Sequence, residues 1–532
     1  MKLITSGAYL QGEFISEIGL VPPSFLPIGN KRLFEYQVGF LRQTKGDIYL
    51  SVPESYEIDK HDSKKLKELG VNILEVPENI TLADSILYCW NSTGVYYDSL
   101  EIIHGDTLFE NLTLADSNGV SCHPNKGFYN RAIVDESAPT SYGVYKTQWA
   151  SEGADVLSGY FKFTKPLHLM KCLLQSEGCF IKACNSYNQE YSFELLKSGE
   201  WLDFGHVNSF FKSRSKMTTQ RSFNDLVIDQ KSVKKKSDLN SDKIVSEALW
   251  FLNLPRELGS YTPKLLEYDI SEGAACFYKL EYLYLLPISD LFVFGNLNSF
   301  SWQTILLGVK EMLDNFKLES QLNDELELEQ FDSLYLNKTL KRLANFQVQS
   351  GFDVNARLAV DSLDDDISLL ELAEYTGKLI SPVKREYLSI IHGDPCFSNL
   401  LYDSRTNITK AIDPRGILPN GEPSIYGDIR YDLAKIYHSY IGLYDFIIAG
   451  RYSLEKVQNS YKIEFDKSYE TSRQVFEDIF LAQTEISEVE ILSITIHLFL
   501  SMLPLHQDRP DRQEAFVANA LRLYKILKGK LV

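Results

Sequence analysis

We predict an α/β domain followed by an α+β domain, because the pattern of strands and helices changes near residue 218. Before that point, short apolar runs alternate with helix-like segments, which is typical of a parallel sheet covered by helices. After it, residues 226–283 mix strands with one helix, whereas residues 302–375 and 434–532 are largely helical. A chain of 532 residues is also too long for one ordinary hydrophobic core. The predicted domains are therefore residues 1–218 and 219–532.

The elements of the first domain follow from short strand-like apolar runs and from helix-like segments between them. In chain order they are the strand Lys2 to Thr5, the helix Arg32 to Arg42, the strand Asp47 to Val52, the helix Leu82 to Asn91 and the strand Leu100 to His104. In open α/β sheets, ligands bind beyond the carboxyl ends of the strands. Asp106 follows the last of these strands closely, so we expect it to be functional.

Composition and charge argue against several classes of partner. The formal net charge is -18, with 54 Lys and Arg against 72 Asp and Glu, which disfavours nucleic acid. No apolar stretch approaches the ~20 residues needed to span a bilayer, and the opening segment lacks the basic and apolar parts of a secretory signal. The seven cysteines are irregularly spaced, so reduced thiols are expected. We expect a cytoplasmic protein without membrane insertion; a homo-oligomer stays open.

The sharpest functional pattern lies between residues 390 and 416, where the chain reads IIHGDPCFSN and then AIDPRG. An apolar strand leads into a turn that carries Asp394, and Asn399 opens a second strand. Turn formers at residues 403–407 predict a hairpin, whose return strand brings Asp413 back beside Asn399. Phosphoryl transfer needs a carboxylate that orients the attacking hydroxyl, and hard oxygen ligands for Mg²⁺. Asp394 fits the first requirement, and Asn399 with Asp413 fits the second.

These motifs resemble those of the aminoglycoside phosphotransferase and choline kinase family, a branch of the protein-kinase-like fold. The resemblance implies an ATP-dependent kinase that phosphorylates a small hydroxyl-bearing molecule. It implies Asp394 as the catalytic base, with Asn399 and Asp413 as the magnesium ligands. It also divides the second domain into an N-lobe, residues 219–290, and a C-lobe, residues 291–532.

A kinase also needs a cation that anchors the α- and β-phosphates of ATP. A lysine run at the end of a strand is followed by a helix from about residue 240 to Leu252, on which Glu247 lies among apolar neighbours. A carboxylate in such surroundings needs a charged partner. We choose Lys235 over Lys234 or Lys236 as that partner, which gives the Lys and Glu pair of kinases.

Other parts of the predicted nucleotide site follow from the same resemblance. The strand Ala275 to Leu280 continues into Glu281 and Leu283 and resembles the hinge, where backbone groups would hold adenine. No GxGxxG precedes Lys235, so we take Ser222 and Asn224 as the candidate cover over the phosphates.

Several further side chains have two readings each. Arg415 is taken as a catalytic candidate that neutralises transition-state charge or holds an anionic substrate, with a loop-stabilising salt bridge as the alternative. Asp428 and Asp432 are either substrate contacts or structural residues that cap a helix and pair with an arginine. Three tyrosines on one helical face suggest core packing or, less readily, a box for an ammonium group: Tyr437, Tyr440 and Tyr444.

The first domain resembles the sugar nucleotidyltransferases, which have a Rossmann-like sheet and join a sugar or alcohol phosphate to a nucleotide. The similarity lies at residues 22–33, at 105–109, at 158–161 and at 200–205. It implies that Asp106 and Asp203 hold one Mg²⁺ as pyrophosphate leaves. The sequence also departs from the family, because the loop at residues 5–13 has no arginine and Ser24 stands where the family has a lysine.

Two hypotheses about the whole chain follow. In the first, the enzyme is bifunctional: the kinase product is joined to a nucleotide, with CTP or another nucleoside triphosphate, to supply bacterial capsule or other surface polysaccharide. In the second, only the kinase turns over, and the first domain is a nucleotide- or sugar-binding or oligomerisation module. A metal-dependent glycosyltransferase on the same type of sheet is a third, weaker reading.

Overall fold

The protein divides into two compact units. A computed structural model describes residues 1–127, 129–135, 144–217, 225–229, 231–237, 241–271, 276–320, 328–331, 333–360, 366–466, 474–482 and 484–531. Unit 1 comprises Met1–Thr218 with Phe294–Asn296, and unit 2 comprises Thr219–Val293 with Leu297–Val532.

Unit 1 has a mixed α/β architecture. Its strands are β1 (Lys2–Thr5), β2 (Pro27–Ile28), β3 (Lys31–Arg32), β4 (Ile48–Pro53), β5 (Val71–Val76), β6 (Leu100–His104), β7 (Thr107–Glu110), β8 (Gly119–Pro124), β9 (Asn130–Asp135), β10 (Val144–Trp149), β11 (Asp155–Phe163), β12 (Glu194–Leu196) and β13 (Glu200–Asp203). Its helices are α1 (Glu13–Ile18), α2 (Leu33–Leu41), α3 (Lys60–Glu68), α4 (Leu82–Ser92), α5 (Pro166–Gln175), α6 (Phe180–Glu190) and α7 (Val207–Lys216).

The main sheet of unit 1 is parallel at one side and antiparallel at the other. Its strand order is β10-β9-β11-β6-β1-β4-β5, with β8 on β11 and β12 on β8. β1 runs parallel to β4 and β6, and β4 runs parallel to β5. β11 pairs antiparallel with β6. The predicted parallel sheet is therefore correct for the first four strands of the main sheet, whereas the later strands pair antiparallel, apart from β12, which runs parallel to β8.

The five elements predicted for this unit are confirmed to within two residues at each end. The apolar periodicity predicts these elements correctly because each one contributes a contiguous apolar face. On α2, for example, Phe34, Val38 and Leu41 are buried at helical spacing. Leu3 and Ile102 from adjacent strands join the core that packs against α4 and α5. This core holds the carboxyl ends of β1 and β6 side by side, Thr5 opposite His104.

Unit 2 combines several small sheets with a helical part. Its strands are β14 (Asp225–Ile228), β15 (Ser232–Ser237), β16 (Leu265–Asp269), β17 (Cys276–Glu281), β18 (Leu286–Pro287), β19 (Leu358–Val360), β20 (Asp366–Ile367), β21 (Leu388–Ile390), β22 (Leu400–Asp403), β23 (Ile408–Ala411), β24 (Tyr426–Asp428), β25 (Ser453–Val457) and β26 (Ser460–Glu464). Its helices are α8 (Ser241–Asn253), α9 (Ile288–Phe294), α10 (Ser299–Leu318), α11 (Lys338–Ser350), α12 (Leu369–Gly377), α13 (Ile429–Tyr440), α14 (Tyr444–Ile448), α15 (Glu488–Met502) and α16 (Pro510–Leu531).

The first sheet of unit 2 is antiparallel, in the order β14-β15-β17-β16. Ile244 and Ala248 of α8 are buried against Cys276, Tyr278 and Leu280 of β17. Because the apolar positions of α8 lie three to four residues apart, this face also carries Glu247 toward the sheet. The predicted strands, the helix and the later hairpin of β22 with β23 are all present.

A small sheet in the helical part was not predicted. β20, β19, β26 and β25 form it, and β25 and β26 are joined through Gln458, whose φ is 53°. In β26, buried Tyr461 and Ile463 alternate with exposed neighbours. That alternation is the signature of a half-buried strand, so the prediction that residues 434–532 are largely helical is wrong for this hairpin.

One described segment, Glu488–His506, is long and apolar enough to cross a membrane, and 78% of its apolar window is buried inside the protein. Polar residues interrupt this segment, so the sequence pattern predicts no membrane span there. Burial of this kind fits the core helix of a soluble protein.

Candidate functional site

The candidate site of unit 2 is built around the turn that follows β21. The backbone N–H groups of His392 and Gly393 donate to the two oxygens of Asp432, at 2.7 and 2.8 Å. Gly393 has φ of 78°, and a Cβ there would lie 2.7 Å from Cβ of Arg415. A glycine is needed at this position for both reasons. The turn is thus fixed by α13, which carries Asp432.

His392 connects this turn to the second strand of the hairpin. Its Nε2 lies 2.9 Å from the carbonyl oxygen of Ile412, and the N–H of Asp394 donates to its Nδ1 at 3.3 Å. Burial lowers the pKa of His392 to about 4, so the ring is neutral at pH 7. A neutral ring with its proton on Nε2 satisfies both bonds. His392 therefore has a structural role and does not act as a general acid.

The hairpin of β22 with β23 brings Asn399 and Asp413 together. The N–H of Ile412 donates to the carbonyl oxygen of Asn399 at 2.9 Å, and Nδ2 of Asn399 donates to the carbonyl oxygen of Asp394 at 2.9 Å. Asp413 has φ of 57°, a strained conformation for a residue with a side chain. The amide oxygen of Asn399 and the carboxylate of Asp413 are the hard donors that Mg²⁺ prefers. These residues fit a magnesium ion.

Lys235 is the lysine of the run that reaches this carboxylate. Its Nζ lies 2.6 Å from Oε2 of Glu247 and 3.3 Å from Oδ1 of Asp413. The hydroxyl of Tyr278 donates to the same oxygen of Glu247 at 2.6 Å. Burial on its own lowers the pKa of Lys235, but Asp413 and Glu247 together raise it above the ordinary value. Lys234 instead lies over the ring of Phe277.

Asp394 has a partner that the sequence analysis missed. Nζ of Lys435 lies 2.8 Å from Oδ1 of Asp394. Burial raises the pKa of Asp394, but Lys435 and neighbouring groups outweigh it and hold the pKa at about 2. Lys435 lies one turn after Asp432 on α13, and the helix start at residue 429 was visible in the sequence. That spacing was the signal that could have found it.

Arg415 lies in a group of cations around Tyr431. The guanidinium carbon of Arg415 is 5.6 Å from the centre of the Tyr431 ring, and Nζ of Lys338 donates to the Tyr431 hydroxyl at 3.3 Å. Burial raises the pKa of Tyr431, but Lys338, Lys435 and Arg415 together lower it to about 8. The loop-stabilising salt bridge considered for Arg415 is absent among the described residues. Lys338 comes from a distant helix, and no local pattern pointed to it.

The hinge candidates lie at the end of β17. Oε1 of Glu281 accepts a hydrogen bond from the N–H of Lys264 at 3.0 Å, so its side chain is engaged within the sheet. Leu283 follows the strand, and its backbone groups make no hydrogen bond to another residue in the described ranges. The candidate phosphate cover, Ser222 and Asn224, lies outside the described residues.

The residues with two readings in α13 and next to it have structural contacts. Asp428 is fully buried, accepts from the N–H of Arg430 and pairs with its guanidinium at 2.7 Å. Arg430 also pairs with Glu490 at 2.7 Å. The three tyrosines pack among other rings, with Tyr437 against Phe476, Tyr440 against Phe292, Phe397 and Phe476, and Tyr444 against His438 and Phe516. Core packing is the reading that these contacts favour.

In unit 1, Asp106 and Asp203 lie next to each other. β7 and β13 pair antiparallel with Thr107 opposite Asp203, and the N–H of Phe204 donates to the carbonyl oxygen of Asp106 at 2.8 Å. A Cβ on Gly205 would lie 2.2 Å from Oδ2 of Asp106 and 3.4 Å from Oδ1 of Asp203. Burial and the charge of Asp203 raise the pKa of Asp106. Two adjacent carboxylates, one of them buried, are a donor set that fits one divalent cation.

Arg131 is a further residue that the sequence analysis missed. Its guanidinium forms an ion pair with Asp203 and lies 4.7 Å from the ring of Trp201. Nδ1 of His206 lies 3.4 Å from Asp203, and the His206 ring stacks on Tyr129 at 3.6 Å. Burial raises the pKa of Asp203, but His206 and Arg131 outweigh it and lower the pKa below the ordinary value. Asp203 is thus held ionised.

The loop between β1 and α1 carries no cation, and Ser6 ties it to Ser24. Ser24 is fully buried, and its N–H donates to Oγ of Ser6 at 3.0 Å while its hydroxyl donates to the carbonyl oxygen of Gly105 at 3.2 Å. Leu10 is buried as well. The position that the resemblance gives to a lysine therefore ties this loop to the strand that leads to Asp106.

Similarity to known proteins is found at the level of solved structures. No protein-family model and no curated protein matches the chain. The neighbours include nucleotidyltransferases of sugars and related molecules and an aminoglycoside phosphotransferase. A nucleoside-diphosphate-sugar pyrophosphorylase from Vibrio cholerae RC9 is 14% identical with a TM-score of 0.34, over 40% of this chain and 99% of that chain.

Two further neighbours represent the two classes. The inositol-1-phosphate CTP transferase from T. maritima is 14% identical with a TM-score of 0.31, over 41% of this chain and 95% of that chain. A mutant of aminoglycoside 2′-phosphotransferase IIIa in complex with GDP is 13% identical with a TM-score of 0.33, over 59% of this chain and 90% of that chain.

Proposed function

We propose that residues 219–532 are a kinase that transfers the γ-phosphate of ATP to a hydroxyl group of a small molecule. The observation that carries this proposal is the buried pair of Lys235 with Glu247, in which Lys235 also reaches Asp413. A lysine that links a helix carboxylate to a metal-type aspartate is the arrangement that phosphoryl transfer by a kinase uses. Asp413 follows Ile412, whose N–H donates to Asn399, and the side chain of Asn399 donates in turn to the carbonyl oxygen of Asp394.

Each residue has a part in the proposed reaction. Asp394, held ionised by Lys435, accepts a hydrogen bond from the attacking hydroxyl and orients it. Lys235 contacts the α- and β-phosphates, and Asn399 with Asp413 would hold Mg²⁺. When bound, the ion neutralises the charge of the transferring phosphates. Leu283 offers its backbone groups to adenine, and Glu281 keeps that strand end in place.

The test is phosphorus NMR of the purified protein with Mg²⁺, ATP and a panel of small alcohols, amino alcohols, polyols and sugars. We expect a new phosphomonoester from wild type and a loss of at least about a hundredfold in Asp394→Asn. Asp314→Asn is the control, because Asp314 is an exposed carboxylate in an i,i+4 pair and should be silent. Equal rates in wild type and Asp394→Asn would overturn the proposal.

For unit 1 we propose a nucleotidyltransferase that joins the phosphorylated product to CTP or another nucleoside triphosphate and releases pyrophosphate. The adjacent carboxylates of Asp106 and Asp203 support it, since they fit Mg²⁺. Arg131 supports it too, because it supplies a cation that the loop at residues 5–13 lacks. The product would be a nucleotide-linked building block for bacterial capsule or other surface polysaccharide, made in the cytoplasm; a homo-oligomer is compatible with this function.

A second candidate for unit 1 is a binding module without catalysis. It is favoured by the ion pair of Arg131 with Asp203, which engages a carboxylate that the reaction would need. The buried Ser24 also favours a binding module, because no lysine is available at that position to bind a triphosphate. The two candidates differ in one measurable product, because only a nucleotidyltransferase releases pyrophosphate.

A further inference from the structure

We propose that the acceptor of the kinase carries an anionic group, a phosphate monoester or a carboxylate, bound by Lys338 and Arg415 over the ring of Tyr431. This inference rests on the proposed kinase function of unit 2 and names its substrate class. It distinguishes the acceptor from an amine or a neutral alcohol.

Two cations from separate elements converge on one buried ring. Lys338 is the first residue of α11, and its Nζ lies 5.3 Å from the centre of the Tyr431 ring. Arg415 comes from the loop after β23, and its guanidinium carbon lies 5.6 Å from the same centre. Tyr431 is only 5% exposed and lies on α13. The ring therefore positions both cations on the side of α13 that also carries Lys435.

The two cations have no acidic partner. Among the described residues, neither Lys338 nor Arg415 forms an ion pair with a carboxylate. Lys435 is already engaged by Asp394. Burial lowers the pKa of Lys338, and Arg415 and Lys435 lower it further. Of these three partly buried cations, only Lys435 has a carboxylate in direct contact, and the remaining positive charge costs free energy. A bound anion would remove that cost through charge-assisted hydrogen bonds.

The position of Lys338 and Arg415 indicates that they bind an anionic group of the acceptor and not the phosphates of ATP. The residues proposed to hold the nucleotide come from β15 and from the end of β17, whereas Lys338 and Tyr431 come from α11 and α13. Tyr431 precedes Lys435 by four residues, one helical turn, so their side chains start about 5–6 Å apart. Since Lys435 binds Asp394, an anion on Lys338 and Arg415 lies within the length of a small molecule from the proposed base.

An ammonium-bearing acceptor finds no comparable support. Tyr437 and Tyr440, the tyrosines that could have formed a box for it, are buried in aromatic packing. Three cations act on Tyr431 against the single carboxylate of Asp394, and their excess positive charge would repel an amine.

The direct test is calorimetric titration of inorganic phosphate into the full chain saturated with Mg²⁺ and a non-hydrolysable ATP analogue. We expect binding to wild type and at least a tenfold weaker affinity in Lys338→Met and in Arg415→Gln. Lys341→Met is the matched control, because Lys341 is an exposed lysine one turn away on α11. Its affinity should equal that of wild type.

The outcomes separate this inference from the kinase proposal. If the ATP analogue does not bind, the proposed function itself fails. If the analogue binds and phosphate affinity is equal in wild type, Lys338→Met and Arg415→Gln, the anion site is refuted while the kinase stands. Turnover of matched acceptors then names the source of the anion: ribose 5-phosphate against ribose, and gluconate against glucitol. We expect one anionic member to exceed its neutral partner at least tenfold in kcat/KM, and equal values would overturn the inference.

Discussion

Glu247 is a fully buried carboxylate whose Oε2 contacts both Lys235 and the hydroxyl of Tyr278. Nζ of Lys243 lies 3.6 Å from the other oxygen. Lys235 is therefore held by two carboxylates, Glu247 at 2.6 Å and Asp413 at 3.3 Å. Removing the charge of Glu247 leaves a buried ammonium with one partner instead of two.

The change Glu247→Gln should raise the KM for ATP about tenfold and lower kcat, because Lys235 is no longer aligned with the phosphates. Steady-state kinetics at varied ATP measure both constants. The matched control is Glu267→Gln, an exposed position on β16 of the same sheet, which should behave as wild type. A wild-type KM for ATP in Glu247→Gln would show that Lys235 does not act through this pair.

The ionisation of the Tyr431 phenol can be followed by ultraviolet absorbance, independently of enzymatic activity. Its surroundings favour the phenolate, so its pKa is lowered to about 8, whereas an ordinary tyrosine titrates near pH 10. The ultraviolet difference titration of wild type minus Tyr431→Phe should show one phenol with a midpoint near pH 8. In Lys338→Met the midpoint should rise, because one of the cations that stabilise the phenolate is gone. A difference signal that begins only near pH 10 in wild type would contradict the cation cluster.

At the scale of elements, the loop after β23 depends on a glycine. Gly416 has φ of 63°, and a Cβ there would lie 2.3 Å from the carbonyl oxygen of Ser246 on α8. The backbone of α8 cannot move away without shifting Glu247. Gly416 is therefore the point at which this loop and α8 approach closely.

The change Gly416→Ala should lower the free energy of unfolding by about 1–3 kcal/mol, from the left-handed backbone alone, with the close contact added to it. Urea denaturation followed by tryptophan fluorescence reports it, since Trp250 lies beside this contact. Gly259→Ala is the control, because nothing lies within 4 Å of a Cβ at that position. Equal midpoints for the two variants would refute the steric account.

The elements that the sequence predicted well are those whose signal is local. The hairpin of β22 with β23 is encoded by two short apolar runs and a turn between them, and its strands appear where the pattern placed them. Glu247 could be placed because α8 repeats its apolar face within a few residues. The hairpin of β25 with β26 carries the same kind of signal. The sequence nevertheless predicts helix there, because the helical patterns on both sides are longer than the two short strands.

The residues that the sequence did not reveal are brought in by tertiary structure. Lys338 reaches Tyr431 across 93 residues, and Arg131 reaches Asp203 across 72. No spacing rule relates such positions in a single sequence. Lys435 is the exception, since its place on α13 relative to Asp432 was readable once the turn at His392 was known to rest on that helix.

At the scale of the whole molecule, the chain holds two candidate sites, one in each unit. Asp394 lies in unit 2, whereas Asp106 and Asp203 lie in unit 1, and each site takes its residues from within its own unit. The first hypothesis requires both sites to turn over in sequence, and the second requires only one. A variant that removes one activity and preserves the other decides between them.

The decisive assay supplies preformed phosphomonoesters with Mg²⁺ and CTP, or another nucleoside triphosphate, and measures pyrophosphate. If unit 1 is catalytic, Asp394→Asn keeps the wild-type rate, because the kinase step is bypassed. Asp106→Asn should then lose at least about a hundredfold, since one of two carboxylates for the metal is gone. Asp116→Asn, an exposed carboxylate of unit 1, is the control and should retain the rate.

Arg131→Met tests whether this arginine holds the triphosphate in unit 1. If Arg131 replaces the missing loop cation, its loss should slow pyrophosphate release at least tenfold and raise the KM for the triphosphate, because a charge-assisted contact is removed. If the ion pair instead closes the site, wild type releases no pyrophosphate with any triphosphate, and unit 1 is a binding module. An active wild type whose rate is unchanged in Arg131→Met would assign the triphosphate to other cations while leaving Asp106 and Asp203 as the reacting centre.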